Sequence, residues 1–178
     1  MLRPMITLQA TLLLLPTLAQ AAPNTSIYTS LATNNCKTLE SHVDEGGWYK
    51  GRCKGVAGYS LILSEGDLRQ TLDVVSPNGK KSPLELWQVV SSGFSSLSNK
   101  AEWRIHTVAG KAKPIALIVR YNVNDNPEKP EQTTSYLVVS RIGANSSCVT
   151  DVVKPSANTN RQARQLADQA ASKNCKQP

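Results

Sequence analysis

The strongest constraint in this chain is a two-residue alternation, interrupted repeatedly by turn signals. Tyr59–Leu63 is a short apolar run ended by Glu65-Gly66-Asp67. Leu68–Val75 alternates, with Leu68, Leu72 and Val74 expected on one face and Arg69, Thr71 and Asp73 on the other. Pro77-Asn78-Gly79 spells a hairpin turn, because Asn-Gly accepts the positive φ such turns need. Leu84–Val90, carrying Trp87, is the expected return strand. Ala101–Val108 alternates again: Ala101, Trp103 and Ile105 point one way, Glu102, Arg104 and His106 the other. Ile115–Val123 is the most apolar, β-branched run and is expected at the centre of its sheet. Tyr136–Ile142 and Cys148–Val153 bring the total to about seven strands. The pattern predicts a mainly β domain, an antiparallel sandwich or a curled sheet.

Two stretches depart from it. In the tail, Ala163, Leu166, Ala167, Ala170 and Ala171 draw one apolar stripe at helical spacing. Pro155 precedes this C-terminal helix, and Asn158 or Asn160 is placed to cap it. Residues 22–58 read as an N-terminal arm. Lys37–Val43 suits one helical turn or irregular structure, and Gly55 and Gly58 bracket a bend. The arm and the β domain over 59–178 are expected to form one globular unit from about residue 26.

Residues 1–21 form an address. Arg3 precedes an apolar stretch from Ile6 to Leu18, and Ala19-Gln20-Ala21 supplies the small-x-small pattern that a signal peptidase accepts. The run is too short, and too interrupted by Thr11, Pro16 and Thr17, for a membrane span of roughly 20 apolar residues. The expectation is a cleaved signal and an exported mature protein, periplasmic or secreted, with no integral membrane span. Export brings oxidising conditions, so the four cysteines are expected as two disulfides. Of the three possible pairings, Cys36–Cys53 and Cys148–Cys175 join cysteines close along the chain and are favoured.

No catalytic constellation is legible. There are two histidines, His42 and His106, and neither belongs to a metal-ligand cluster. A Gly-x-Ser-x-Gly elbow is absent, with Gly93-Phe94-Ser95 the nearest approach. Gly79-Lys80-Lys81 leads into a strand rather than a helix, which excludes a phosphate loop. Glu65 and Asp67 flank a glycine as turn-formers do. No cofactor or metal site is expected. The formal net charge of +7 falls by one when Arg3 leaves with the signal. The remaining cations are dispersed among acids, without the clustered cations and stacking aromatics of a nucleic-acid surface.

The residues that stand out read either as a cross-strand ion-pair network or as a polar binding face on one sheet. Arg69 follows Glu65-Gly66-Asp67, Glu102 and Arg104 share one side of their strand, and Phe94 sits alone in a polar loop. Arg120, inside the most apolar strand, would need a carboxylate partner if buried. Trp48, Trp87, Trp103 and Phe94 are the expected aromatic anchors of a core in which aromatic residues are only 5% of the chain.

The stretch Trp48-Tyr49-Lys50-Gly51-Arg52-Cys53-Lys54-Gly55-Val56-Ala57-Gly58-Tyr59, then Glu65-Gly66-Asp67-Leu68-Arg69-Gln70, resembles a family of small exported bacterial proteins of unassigned role. The likeness runs through Glu102-Trp103-Arg104 into the Ala-rich tail and implies a bacterial cell envelope location, without catalytic residues to carry over. In plan the chain is also similar, more loosely, to periplasmic lysozyme inhibitors. The expected function is a non-enzymatic binding or interaction protein of the envelope, meeting an envelope protein or an anionic envelope component. An inhibitor of a cell-wall hydrolase and an unrecognised hydrolase are the alternatives.

Overall fold

The computed structural model describes residues 23–42, 47–126, 128, 129 and 131–177. The expected signal segment, Val43 and the loop prolines Pro127 and Pro130 lie outside them. The chain is mainly β with a C-terminal helix, as expected. Its strand count and arrangement differ. Among the described residues ten strands, rather than about seven, hydrogen-bond into one open sheet instead of two stacked sheets.

Most of the difference lies in residues 22–58, which supply three strands in place of an arm: β1 (Thr25–Ser30), β2 (Cys36–His42) and β3 (Trp48–Lys54). β2 replaces the expected helical turn. Every β2 residue after Cys36 is exposed, so this edge strand carries no apolar alternation to read. Its pairing with β3, from Cys36↔Cys53 to His42↔Trp48, holds it in place.

β4 (Ser60–Gly66) and β5 (Arg69–Val75) form the next hairpin, and β6 (Lys81–Pro83) returns after a turn with Gly79 at φ 83. The expected strand Leu84–Val90 does not form. Glu85 adopts a left-handed backbone, φ 49 and ψ 45, and the chain enters a one-turn helix, α1 (Leu86–Val89). Leu84 and Leu86 are both buried, a spacing of two that imitates a strand. The Leu86 N–H donates to Thr71 Oγ1 at 3.1 Å, fixing α1 on β5.

β7 (Ser95–Val108) and β8 (Lys111–Val123) form a long hairpin, followed by β9 (Thr134–Arg141), β10 (Cys148–Val153) and α2 (Thr159–Asp168). The sheet order is β10-β9-β8-β7-β5-β4-β3-β2, with β1 beside the middle of β7, from Lys100 to Ile105, and β6 beside β5. All pairs are antiparallel except β5 and β7, which meet in parallel at Arg69↔Ser95. β8 is interior, as its composition predicts.

One apolar cluster gathers Leu61, Leu72 and Val74 from β4 and β5 with Trp103, Leu117 and Val138 from β7, β8 and β9. Residues from distant strands of the order meet there, so the sheet curls over its apolar face. Each large side chain buried this way contributes about 1.5–3 kcal/mol. The opposite face of β8 and β9, including Ile118 and Val139, is covered by Ala163 and Ala167 of α2 and by Ala170 just after it. Ala171, predicted on that stripe, is exposed because a 3-10 turn over Ala170–Ser172 changes the helical phase. Asn158 occupies the N-cap position of α2 without a side-chain capping bond. Both favoured disulfides are present: Cys36–Cys53 directly across β2 and β3, and Cys148–Cys175 between β10 and the tail.

Candidate functional site

Of the four expected aromatic anchors, only Trp103 is a core residue: it is fully buried and its indole N–H donates to Thr29 Oγ1 at 2.9 Å. Trp48 and Trp87 are half-buried, and Phe94 is 48% exposed. Trp48 opens β3, where a Cβ on Gly66 would lie 3.2 Å from its Cδ1, so the glycine sets how closely the indole approaches the end of β4. Trp87 is carried by α1, whose Leu86 is buried beneath it. Between the two indoles lies a groove of about 580 Å³, rimmed by Ser64, Glu65, Asp67 and Gln88. Neither indole N–H has a hydrogen-bond partner among the described residues.

Arg69 closes one end. The β4–β5 turn places Asp67 and Leu68 at φ 48 and 57, the two left-handed positions of a type I′ hairpin. Beyond it, Arg69 Nε donates to the Ser92 carbonyl at 2.8 Å, and Nη1 donates to the carbonyl and carboxylate of Asp67. The guanidinium lies 5.1 Å from the Phe94 ring centroid, a cation–π contact. Gly93 lets this loop press on the end of β8, since a Cβ there would sit 2.1 Å from the Asn124 carbonyl oxygen. Beneath, the Tyr121 hydroxyl donates to the Gln70 carbonyl at 2.9 Å and shares a 2.6 Å bond with Ser95 Oγ. Burial raises the Tyr121 phenol, against smaller lowering effects of Ser95 and Arg69, which keeps it neutral and able to donate. Gln70 spans the junction, donating to Glu65 Oε2 at 2.7 Å and accepting from the Leu97 N–H at 2.6 Å.

Two further depressions adjoin the groove. One of about 510 Å³ shares Trp48 and Glu65 and is lined by His42 and Tyr49. The other, about 300 Å³, shares Arg69 and Ser92 and is lined by Phe94 and Asp125. His42 stands tilted against Trp48, with centroids 5.8 Å apart, and Lys50 Nζ lies 5.8 Å from the Trp48 centroid.

The predicted binding residues therefore divide. Arg69 and Phe94 come together at the groove, whereas Glu102 and Arg104 lie on the side covered by β1 and α2. Arg104 is 7% exposed, against the expectation that it points outward. Its Nε and Nη2 grip Asp168 at 2.8 and 2.9 Å, and Nη1 donates to Ser26 Oγ at 2.6 Å. Glu102 accepts from Arg164 Nε and Ser26 Oγ, both at 2.6 Å, and lines a separate cavity of about 370 Å³. Burial pushes the Glu102 carboxyl up, but the bonds from Arg164 and Ser26 and the Arg164 charge together outweigh it and hold it below the usual value of 4.5. His106 Nδ1 is bonded to Asn24 Oδ1 at 2.9 Å. Arg120 is half-buried and donates to Ser135 Oγ at 2.9 Å, with no carboxylate partner among the described residues. Those residues also hold no cluster of three metal-ligating side chains.

Trp48 and Trp87 are the site residues that alternation misses. A usable signal is context: Trp48 follows Gly46-Gly47 and precedes Lys50-Gly51-Arg52, outside any apolar run. Two indole walls and a rim of carboxylates, amide and hydroxyls can stack on a flat apolar surface and exchange hydrogen bonds around it. Fold and site together define an open, curled β-sheet chain tied by two disulfides, with an aromatic groove on its surface. No protein-family model, no curated protein and no solved structure matches this chain.

Proposed function

We propose that the chain is a non-enzymatic binding protein of the bacterial cell envelope and that its ligand occupies the Trp48–Trp87 groove. The observation that carries this is the exposure of scarce aromatic residues: Trp48, Trp87 and Phe94 gather around one run of depressions instead of filling the core. Export is supported by the signal-like first 21 residues and by two disulfides, which suit an oxidising compartment. No helix of the described residues is long and apolar enough to cross a membrane. The hydrogen-bonded junction of Gln70, Ser95 and Tyr121, which adjoins Arg69 and Phe94 in the chain, supports a preformed site, which limits the ordering cost of binding.

Titration of the purified protein with fractionated envelope glycans and proteins, followed by tryptophan emission, tests this. A purified ligand should shift the emission, be recovered chemically unchanged, and bind Trp87→Ala at least about tenfold more weakly, the equivalent of 1.4 kcal/mol. A ligand that binds Trp87→Ala and Arg69→Ala as tightly as the natural protein would contradict the site. Conversion of the ligand to a product would make the chain an enzyme.

A further inference from the structure

The groove's polar groups constrain the chemistry of what it holds. Of its three charged lining residues, Asp67 and Arg69 form an ion pair, and Glu65 has one oxygen bonded to the Gln70 amide. An anionic ligand would meet two carboxylates and one cation already spent. A cationic ligand would find the faces of Trp48 and Phe94 already approached by cations of the chain, Lys50 (itself paired with Glu40) and Arg69. With Asp67 and Arg69 paired and Glu65 bonded to Gln70, the lining holds no set of free charges to bind an ion of either sign, and the site suits a neutral ligand.

That ligand needs both donors and acceptors. The two indole N–H groups have no partner among the described residues and offer donors, while Glu65, Gln88 and the serine hydroxyls offer acceptors. It also needs a flat apolar face to lie on indole. An extended peptide, by contrast, binds best by adding a strand to an open sheet edge. β3 lies between β2 and β4, and β4 between β3 and β5, so the strands lining the groove have no free edge. A sugar ring combines an apolar C–H face with a rim of hydroxyls. The two adjoining depressions, each with its own aromatic or imidazole ring, extend the site beyond one ring.

Resting on the binding role proposed above, we infer that the Trp48–Trp87 groove and its two flanking depressions take a neutral oligosaccharide, one ring stacked on indole and its neighbours running toward His42 and Phe94.

Calorimetric titration of the full disulfide-bonded chain tests this. The probes are neutral tetrasaccharides (β-1,4-linked N-acetylglucosamine, β-1,4-linked glucose and α-1,4-linked glucose), an oligogalacturonate, spermine and a neutral tetrapeptide. The expected result is binding of at least one neutral tetrasaccharide, about tenfold or more tighter than the matching disaccharide. Trp87→Ala should weaken it about tenfold or more, Trp87→Phe much less, and Arg120→Ala not at all. Gln88→Ala, at an exposed position, should also weaken binding and covers the case in which Trp87→Ala misfolds. Failure of all three neutral tetrasaccharides overturns the inference. Peptide, spermine or galacturonate binding that depends on Trp87, without saccharide binding, overturns it while leaving the groove as the binding site. Saccharide binding unchanged in both Trp87→Ala and Gln88→Ala overturns the groove as well.

Discussion

Leu68 is 59% exposed and has φ 57, so it exposes apolar surface and adopts a conformation unfavourable to a branched side chain. A non-glycine residue in this region costs about 1–2 kcal/mol. Leu68→Gly should therefore raise stability by about 1 kcal/mol, measured as an increased urea midpoint with unchanged slope. An unchanged or lowered midpoint would show that the leucine is not strained there. Arg104 is the opposite case, a buried cation with every nitrogen engaged. Arg104→Met should cost about 2 kcal/mol in the same measurement, because Asp168 loses a two-bond partner while keeping some access to water. In the sequence Arg69 and Arg104 look alike, each at a polar position of an alternating strand. What separates them is whether α2 and β1 cover that position, and alternation carries no information about that.

At the scale of elements, α2 is docked by alanines that bury little area and by the Glu102–Arg164 and Arg104–Asp168 pairs. Glu102 has a folded pKa below its usual 4.5. Its contribution is complete above the unfolded value and fades as pH falls through the folded one. The stability gap between the natural protein and Glu102→Gln should be about 1 kcal/mol at pH 7 and shrink progressively below about pH 4.5. A gap that stays constant from pH 7 to pH 3 would remove Glu102 from this role. The α2 stripe was legible because helical period and burial agree along it. α1 was not, because Leu84 and Leu86 are spaced as in a strand and the left-handed Glu85 leaves no mark in hydropathy. β2 was illegible because an edge strand wet on both faces has no pattern beyond its partner.

Across the whole molecule, the disulfides fasten both ends of one curled sheet. Cys36–Cys53 locks the β2 edge, and Cys148–Cys175 holds the tail on β10, where the Lys176 N–H also donates to the Val149 carbonyl at 2.8 Å. Each closes a loop worth about 3 kcal/mol in the chain-entropy account. Replacing Cys148 and Cys175 by serine should lower stability by about that amount, and hydrogen exchange should quicken in α2 before β7 and β8. Uniform quickening across the sheet would mean that the tail and core open as one unit. Cysteine pairing was readable from the even cysteine count and the spacing along the chain. The groove was not, because it is assembled from β3, β4, α1 and the loop before β7, which only the curled sheet brings together.

The indole N–H resonances of the three tryptophans separate groove from core in a single experiment. On adding a saturating neutral tetrasaccharide, the Trp48 and Trp87 cross-peaks should shift while that of Trp103, held by Thr29, stays in place. Shifts confined to Trp103, or to amides around Glu102 and Arg164 with Trp48 and Trp87 unmoved, would contradict the groove as the binding site.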